Sequence, residues 1–149
     1  MRRFNQAWLL DPNYYQVYWG YGALSLADSS PKAAIIYFEK AIELINEPEQ
    51  KHRLLVDAAR SYALQGNAEK DTSQVESEKL LNKSISLIDK ALKIAPQFGN
   101  AYYWGAKVYR SLGKYKKSWE MVKRARDVAG FQFDPKFLED LSNVMPEPK

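Results

Sequence analysis

The chain has no cysteine in its 149 residues, which excludes disulfides, thiolate metal sites and a cysteine nucleophile. It has a single histidine, His52, set in a helical pattern between Lys51 and Arg53, where a solvated residue is expected rather than a base or a metal ligand. No apolar run approaches the roughly 18 residues that suggest a membrane span. Met1-Arg2-Arg3 leads into an amphipathic stretch, not the apolar core of a signal peptide. No strand pattern is present, and so no glycine-rich loop follows a strand. Acidic residues are scattered singly or in surface pairs such as Glu139-Asp140, and nothing resembles paired catalytic carboxylates. Asn82-Lys83-Ser84 fits a glycosylation sequon, but Ser84 is needed for helix packing. The expectation is a non-catalytic protein with no cofactor and no metal. Absence of cysteine suits a reducing cytoplasm and a bacterial periplasm equally, so localisation stays open.

What the chain does have is apolar and aromatic residues, at 46% and 13%, enough for a continuous core. Its net charge is modest, +4 from 22 basic and 18 acidic residues, and is not the dense basic stripe of a nucleic-acid binder. The pattern is clearest from Tyr15 to Asn46. Tyr18, Tyr21, Gly22 and Ser25 recur three and four apart, then Asp28-Ser29-Ser30-Pro31 breaks the run. Ala34, Phe38, Ala41 and Ile42 repeat the spacing on a second helix. Large residues on one helix facing small ones on its partner let two antiparallel helices pack closely. A related pattern returns in Tyr102, Gly105-Ala106, Tyr109, Gly113, Tyr115, Ser118, Val122 and Ala125.

These residues resemble the tetratricopeptide repeat, whose first helix carries an aromatic, a large residue followed by Gly or Ala, and Tyr. Its second helix carries a small residue, an aromatic, Ala-Leu and a closing Pro. The departures are Ser25 for tyrosine, Asn46 for proline and Gly105 for the large residue. The resemblance implies an all-α fold, a right-handed α-solenoid of antiparallel helix pairs, with about eight helices and a C-terminal capping helix.

On this reading residues 1–12 are the closing helix of a truncated repeat, with Phe4, Ala7, Trp8 and Leu10 apolar and Pro12 breaking it. The chain is then expected to be a piece of a longer protein, with any targeting signal upstream. Residues 13–46 form repeat 1, in which Ser30 is the expected N-cap and Pro31 the first helical residue. Pro12 and Asn46 stand 34 residues apart, the family period. Residues 47–96 form repeat 2. Its first helix is expected over 49–65, packing through Leu55, Ala58, Ala59 and Tyr62 and ending at Gly66-Asn67. Asn46 and Pro96 stand 50 apart, and the excess is assigned to a mobile polar insertion at 67–78. Ser73-Gln74-Val75-Glu76 has capping-box form and opens a long helix over 74–94, with Leu81, Ile85, Ile88 and Leu92 inward. Residues 97–130 form repeat 3, residues 131–145 a capping helix opened by Asp134-Pro135, and 146–149 a disordered tail.

The functional expectation is a protein–protein interaction module. In this architecture the first helices of the pairs line the concave side. Residues there that are not spent on packing are Gln16, Trp19, Ala23 and Leu26, then Arg53, Asp57, Arg60 and Leu64, then Asn100, Tyr103, Lys107 and Arg110. Aromatic and arginine anchors favour a protein partner, and four cations against one anion favour an acidic one. Competing readings place Trp19 against the N-terminal helix, Tyr103 between neighbouring first helices, and the cations beside acidic neighbours. A well-known subset of the family clamps a peptide carboxylate with Lys and Asn. Trp19 and Ala23 stand in those places here, so chaperone-tail binding is not expected. Lys116, Lys117, Lys123, Arg124 and Arg126 form a second basic cluster on an outward helix, where a solvated convex surface is the expectation; a weak contact with an anionic surface, lipid or nucleic acid, is the alternative, without interleaved stacking aromatics to support it, and no nucleic-acid partner is expected. The alternative functions are self-association through solenoid ends, led by Phe4 and Trp8, and a small enzyme or regulator that depends on an upstream domain.

Overall fold

The computed structural model describes residues 14–149, which form seven helices and no strand. They are α1 (Tyr15–Ala27), α2 (Pro31–Leu44), α3 (Pro48–Ala68), α4 (Gln74–Ile94), α5 (Gly99–Ser111), α6 (Tyr115–Ala129) and α7 (Pro135–Val144). The expected closing helix at 1–12 lies outside the described residues. The chain is an all-α array of helix pairs: α1 packs on α2, α3 on α4 and α5 on α6, while α2 meets α3 and α4 meets α5. The first helices of successive pairs also meet, α1 with α3 and α3 with α5.

The seams follow the small-against-large pattern. Ala34, Phe38 and Ala41 are fully buried on α2. Phe38 lies flat on Gly22 of α1, where a β-carbon would come within 2.5 Å of its ring. Leu55, Ala58 and Ala59 of α3 meet Leu81, Ile88 and Ala91 of α4 in the same core, with Tyr62, Ile85 and Leu92 packed at its edge. Serine ties the later pairs. The Ser84 hydroxyl donates to the Ala59 carbonyl and Ser118 to the Ala106 carbonyl, each at 2.7 Å. Both serines are fully buried, and they stand 34 residues apart.

The second pair differs from the mobile loop expected at 67–78. Both its helices are 21 residues long, against 13 to 15 in the other two pairs, so the extra residues become additional turns of α3 and α4. A tight turn at 69–73 joins them, held by Thr72 and Ser73 amides donating to the Glu69 carbonyl at 3.0 and 2.8 Å. Gly66 does not end α3 as expected. It is a buried residue inside the helix, with Leu81 Cγ 2.9 Å from where a β-carbon would stand. Its carbonyl accepts the Ser77 hydroxyl at 2.7 Å. Close packing, not a left-handed turn, calls for glycine there.

Caps account for the other boundaries. Ser73 Oγ accepts the Glu76 amide at 3.2 Å, and Asp134 Oδ1 accepts the Lys136 amide at 3.0 Å. Ser30 precedes Pro31 as expected, but its hydroxyl makes no capping bond. Gly130 ends α6 in the left-handed region at φ 58°, which glycine adopts without steric cost. Phe137 and Leu141 then bury α7 in a second core, with Tyr102, Ala106, Trp119 and Val122. One contact holds the end of the capping segment and one reaches the tail expected to be disordered. Trp119 Nε1 donates to the Met145 carbonyl at 2.8 Å, and Arg126 Nη1 meets Glu147 Oε1 at 2.6 Å.

Candidate interaction surface

The candidate surface is the face made by α1, α3 and α5. Trp19 on α1 is joined to α3 by a hydrogen bond, its indole Nε1 donating to Asp57 Oδ2 at 2.7 Å. Burial pushes the Asp57 carboxyl above its ordinary range. The Trp19 donor and the nearby Arg60 and Arg53 charges oppose that shift. One helical turn on, the Arg60 guanidinium lies over the Trp104 ring of α5, 5.4 Å from its centroid. Lys107 covers the same cluster, its ammonium 5.1 Å from the Trp104 centroid and 4.5 Å from that of Tyr103. Trp19, Asp57, Arg60, Trp104, Lys107 and Tyr103 thus form one connected series across three helices. Among the described residues, Arg60 and Lys107 make no ion pair within 4.0 Å, and aromatic faces hold them instead. Such contacts contribute about 0.5–1 kcal/mol each at exposed sites, and they leave the positive charge uncancelled.

The remaining expected residues fall elsewhere on this face. Gln16, Trp19 and Ala23 line a hollow of about 330 Å³ with Tyr15, Gly20, Glu47 and Gln50. The Gln16 side-chain carbonyl accepts the Tyr14 hydroxyl. Arg53 and Asn100 are exposed, and the Arg53 charge is felt at Asp57. Leu26, expected on the open face, is instead packed against the core, and Leu64 is partly exposed near the far end of the long α3. Tyr103 and Arg110 are drawn toward the chain's own C-terminal segment. The Tyr103 ring meets Phe131 and Phe133 at tilted angles, with centroids 5.4 and 5.5 Å away, and the Arg110 guanidinium stands 5.9 Å from the Phe137 ring. These two residues therefore seat the capping segment as well as bordering the surface.

His52 is not simply solvated. Its ring meets Phe98 edge-on at 4.8 Å, and burial, reinforced by Arg53, lowers its pKa. Trp104 was not among the expected residues, although it is the ring shared by both central cations. Its spacing of three from Lys107 was the available signal. Phe131 and Phe133, alternating in the extended stretch before α7, were also missed.

These paired helices define a tetratricopeptide-like α-solenoid. No protein-family model matches the sequence, and no curated protein is recognisably similar to it. Among solved structures, the chain is similar to the crystal structure of MamA, at 19% sequence identity and a TM-score of 0.63, covering 96% of this chain and 73% of that one. At that identity the likeness bears on fold alone.

Proposed function

We propose that the α1–α3–α5 face is a docking groove for a segment of a partner protein, extended or helical, that carries carboxylates. The observation behind this reading is the Arg60–Trp104–Lys107–Tyr103 cluster. Tryptophan, tyrosine and arginine are the side chains most often found as energetic anchors at protein interfaces. Here neither cation makes a direct ion pair with the described residues, and Asp57, which feels the Arg60 charge, is largely buried and held by Trp19, so a guest's Asp or Glu would meet an oriented guanidinium. The hollow beside Trp19 extends the same face toward the first pair. Self-association through the solenoid ends, the alternative, rests on Phe4 and Trp8, which lie outside the described residues.

The test is affinity capture from the source cell with the wild-type chain and with Arg60→Glu/Lys107→Glu. Loss of specific captured proteins from the double variant is the expected result. An unchanged set of captured proteins overturns the groove.

A further inference from the structure

Positive charge is unevenly distributed along this chain. Residues 74–129 hold 12 Lys and Arg against 5 Asp and Glu, an excess of seven, while the rest of the chain carries a deficit of three. Much of that excess points away from the α1–α3–α5 face. We propose that the outward face of α4 and α6 docks on an anionic phospholipid surface.

Lys79, Lys83, Lys90 and Lys93 are all exposed, and their spacings of four, seven and three place them along one side of α4. That stripe is about 21 Å long at 1.5 Å rise per residue. Lys79, Lys83 and Lys90 have no ion-pair partner among the described residues. The stripe continues onto α6. Asp89 on α4 lies within electrostatic reach of Lys93 on its own helix and of Lys117 on α6, so a basic residue of each helix stands near it. Lys117 is braced over the Tyr109 ring at 5.6 Å, and Arg124 stands two turns further along α6.

A second feature separates lipid from other polyanions. Ile94 and Val128, 45% and 41% exposed, lie at the C-terminal ends of α4 and α6. Because α5 runs back between those helices, both ends lie at the same edge of the array. Two apolar side chains bordering a field of lysines can enter a headgroup layer while the ammonium groups meet phosphates. Single-stranded nucleic acid would call for stacking platforms. On this face Trp119 is 3% exposed and Tyr109 and Tyr115 are half-buried. A protein partner would favour arginine and aromatic anchors, whereas the cations here are mostly lysine.

The experiment is co-sedimentation of the full chain with vesicles of phosphatidylcholine alone or mixed with phosphatidylglycerol, at physiological salt. A parallel arm measures binding to single-stranded RNA. The wild type is expected to sediment with the mixed vesicles and not with the neutral ones. Lys83→Glu/Lys90→Glu/Lys93→Glu is expected to weaken that partition at least about a hundredfold, since each lysine near an anionic surface contributes roughly a fivefold gain. Ile94→Ser/Val128→Ser keeps every charge, and is expected to weaken vesicle binding several-fold while leaving RNA binding unchanged. Circular dichroism confirms that both variants stay helical. The proposal is overturned if the wild type ignores mixed vesicles, if the lysine variant sediments like wild type, or if the serine pair partitions unchanged. RNA binding without vesicle binding also overturns it and assigns the face to nucleic acid.

Discussion

The Trp19 indole donates to the Asp57 carboxylate at 2.7 Å, joining α1 to α3 across 38 residues of sequence. Asp57 is largely withdrawn from water, so this bond does more than its length suggests. An acceptor left without its donor in such a place bears its desolvation cost uncompensated. Trp19→Phe keeps most of the ring and removes the donor. It should lower stability by roughly 1–3 kcal/mol, read as a lower urea midpoint with an unchanged slope. A midpoint equal to wild type would mean that the contact contributes nothing.

The same carboxyl predicts a pH dependence. Its folded pKa is raised above 3.8, chiefly by burial, so the folded state keeps the proton where the unfolded chain has lost it. Stability linked to Asp57 is therefore greatest below 3.8 and falls as pH rises through the raised folded value. Asp57→Asn, which can still accept from Trp19, should remove that fall. The check is the wild-type minus Asp57→Asn stability difference across this acidic window. A difference that is flat with pH refutes the assignment.

Two glycines at similar places should respond differently to alanine. In an exposed helix interior, Gly→Ala stabilises by about 1 kcal/mol. At Gly22 the new methyl would lie 2.5 Å from the fully buried Phe38 ring, so Gly22→Ala should destabilise, by roughly 1–3 kcal/mol. At Gly105 the nearest atom is Met121 Sδ at 3.3 Å, on a flexible side chain. Gly105→Ala should be near neutral. Thermal midpoints of both variants decide it, and equal losses would refute the distinction.

Ser84 and Ser118 give a matched pair. Each donates from the second helix of its pair to a carbonyl of the first, in a fully buried seam. Ser84→Ala and Ser118→Ala should each cost about 1 kcal/mol, the net value of one such bond. Ser84→Leu should cost well beyond that, because the seam has no room for the added volume. Chemical denaturation of the three variants tests the ordering.

The core register was legible in the sequence because small and aromatic residues recur at helical spacing, as Ala34, Phe38 and Ala41 do. Caps at Ser73 and Asp134 were legible for the same local reason. The extension of α3 and α4 was not. The far end of a two-helix projection buries only a narrow seam, here Ala63, Gly66, Ser77 and Leu81, and most of what surrounds it faces water. Its composition is therefore polar and resembles a loop. Gly66 could not be told from a helix stop without knowing that Leu81 and Ser77 lie against it. On the candidate surface, Arg60, Tyr103 and Lys107 followed from helix phase. Trp104 did not, because its role depends on Arg60 reaching across from another helix. The engagement of Tyr103 and Arg110 with Phe131, Phe133 and Phe137 depends on how the C-terminal segment folds back, which local spacing does not encode.

The long α3–α4 hairpin has one more consequence. In a linear array each unit is stabilised by itself and by its immediate neighbours, so order is lost from the weaker ends inward. Here the middle unit has the longest mutual seam and a neighbour on both flanks. Its amides around Ala58, Ala59 and Ile88 should be the last to exchange with deuterium, and the outer units should fray around a central hairpin that is still intact.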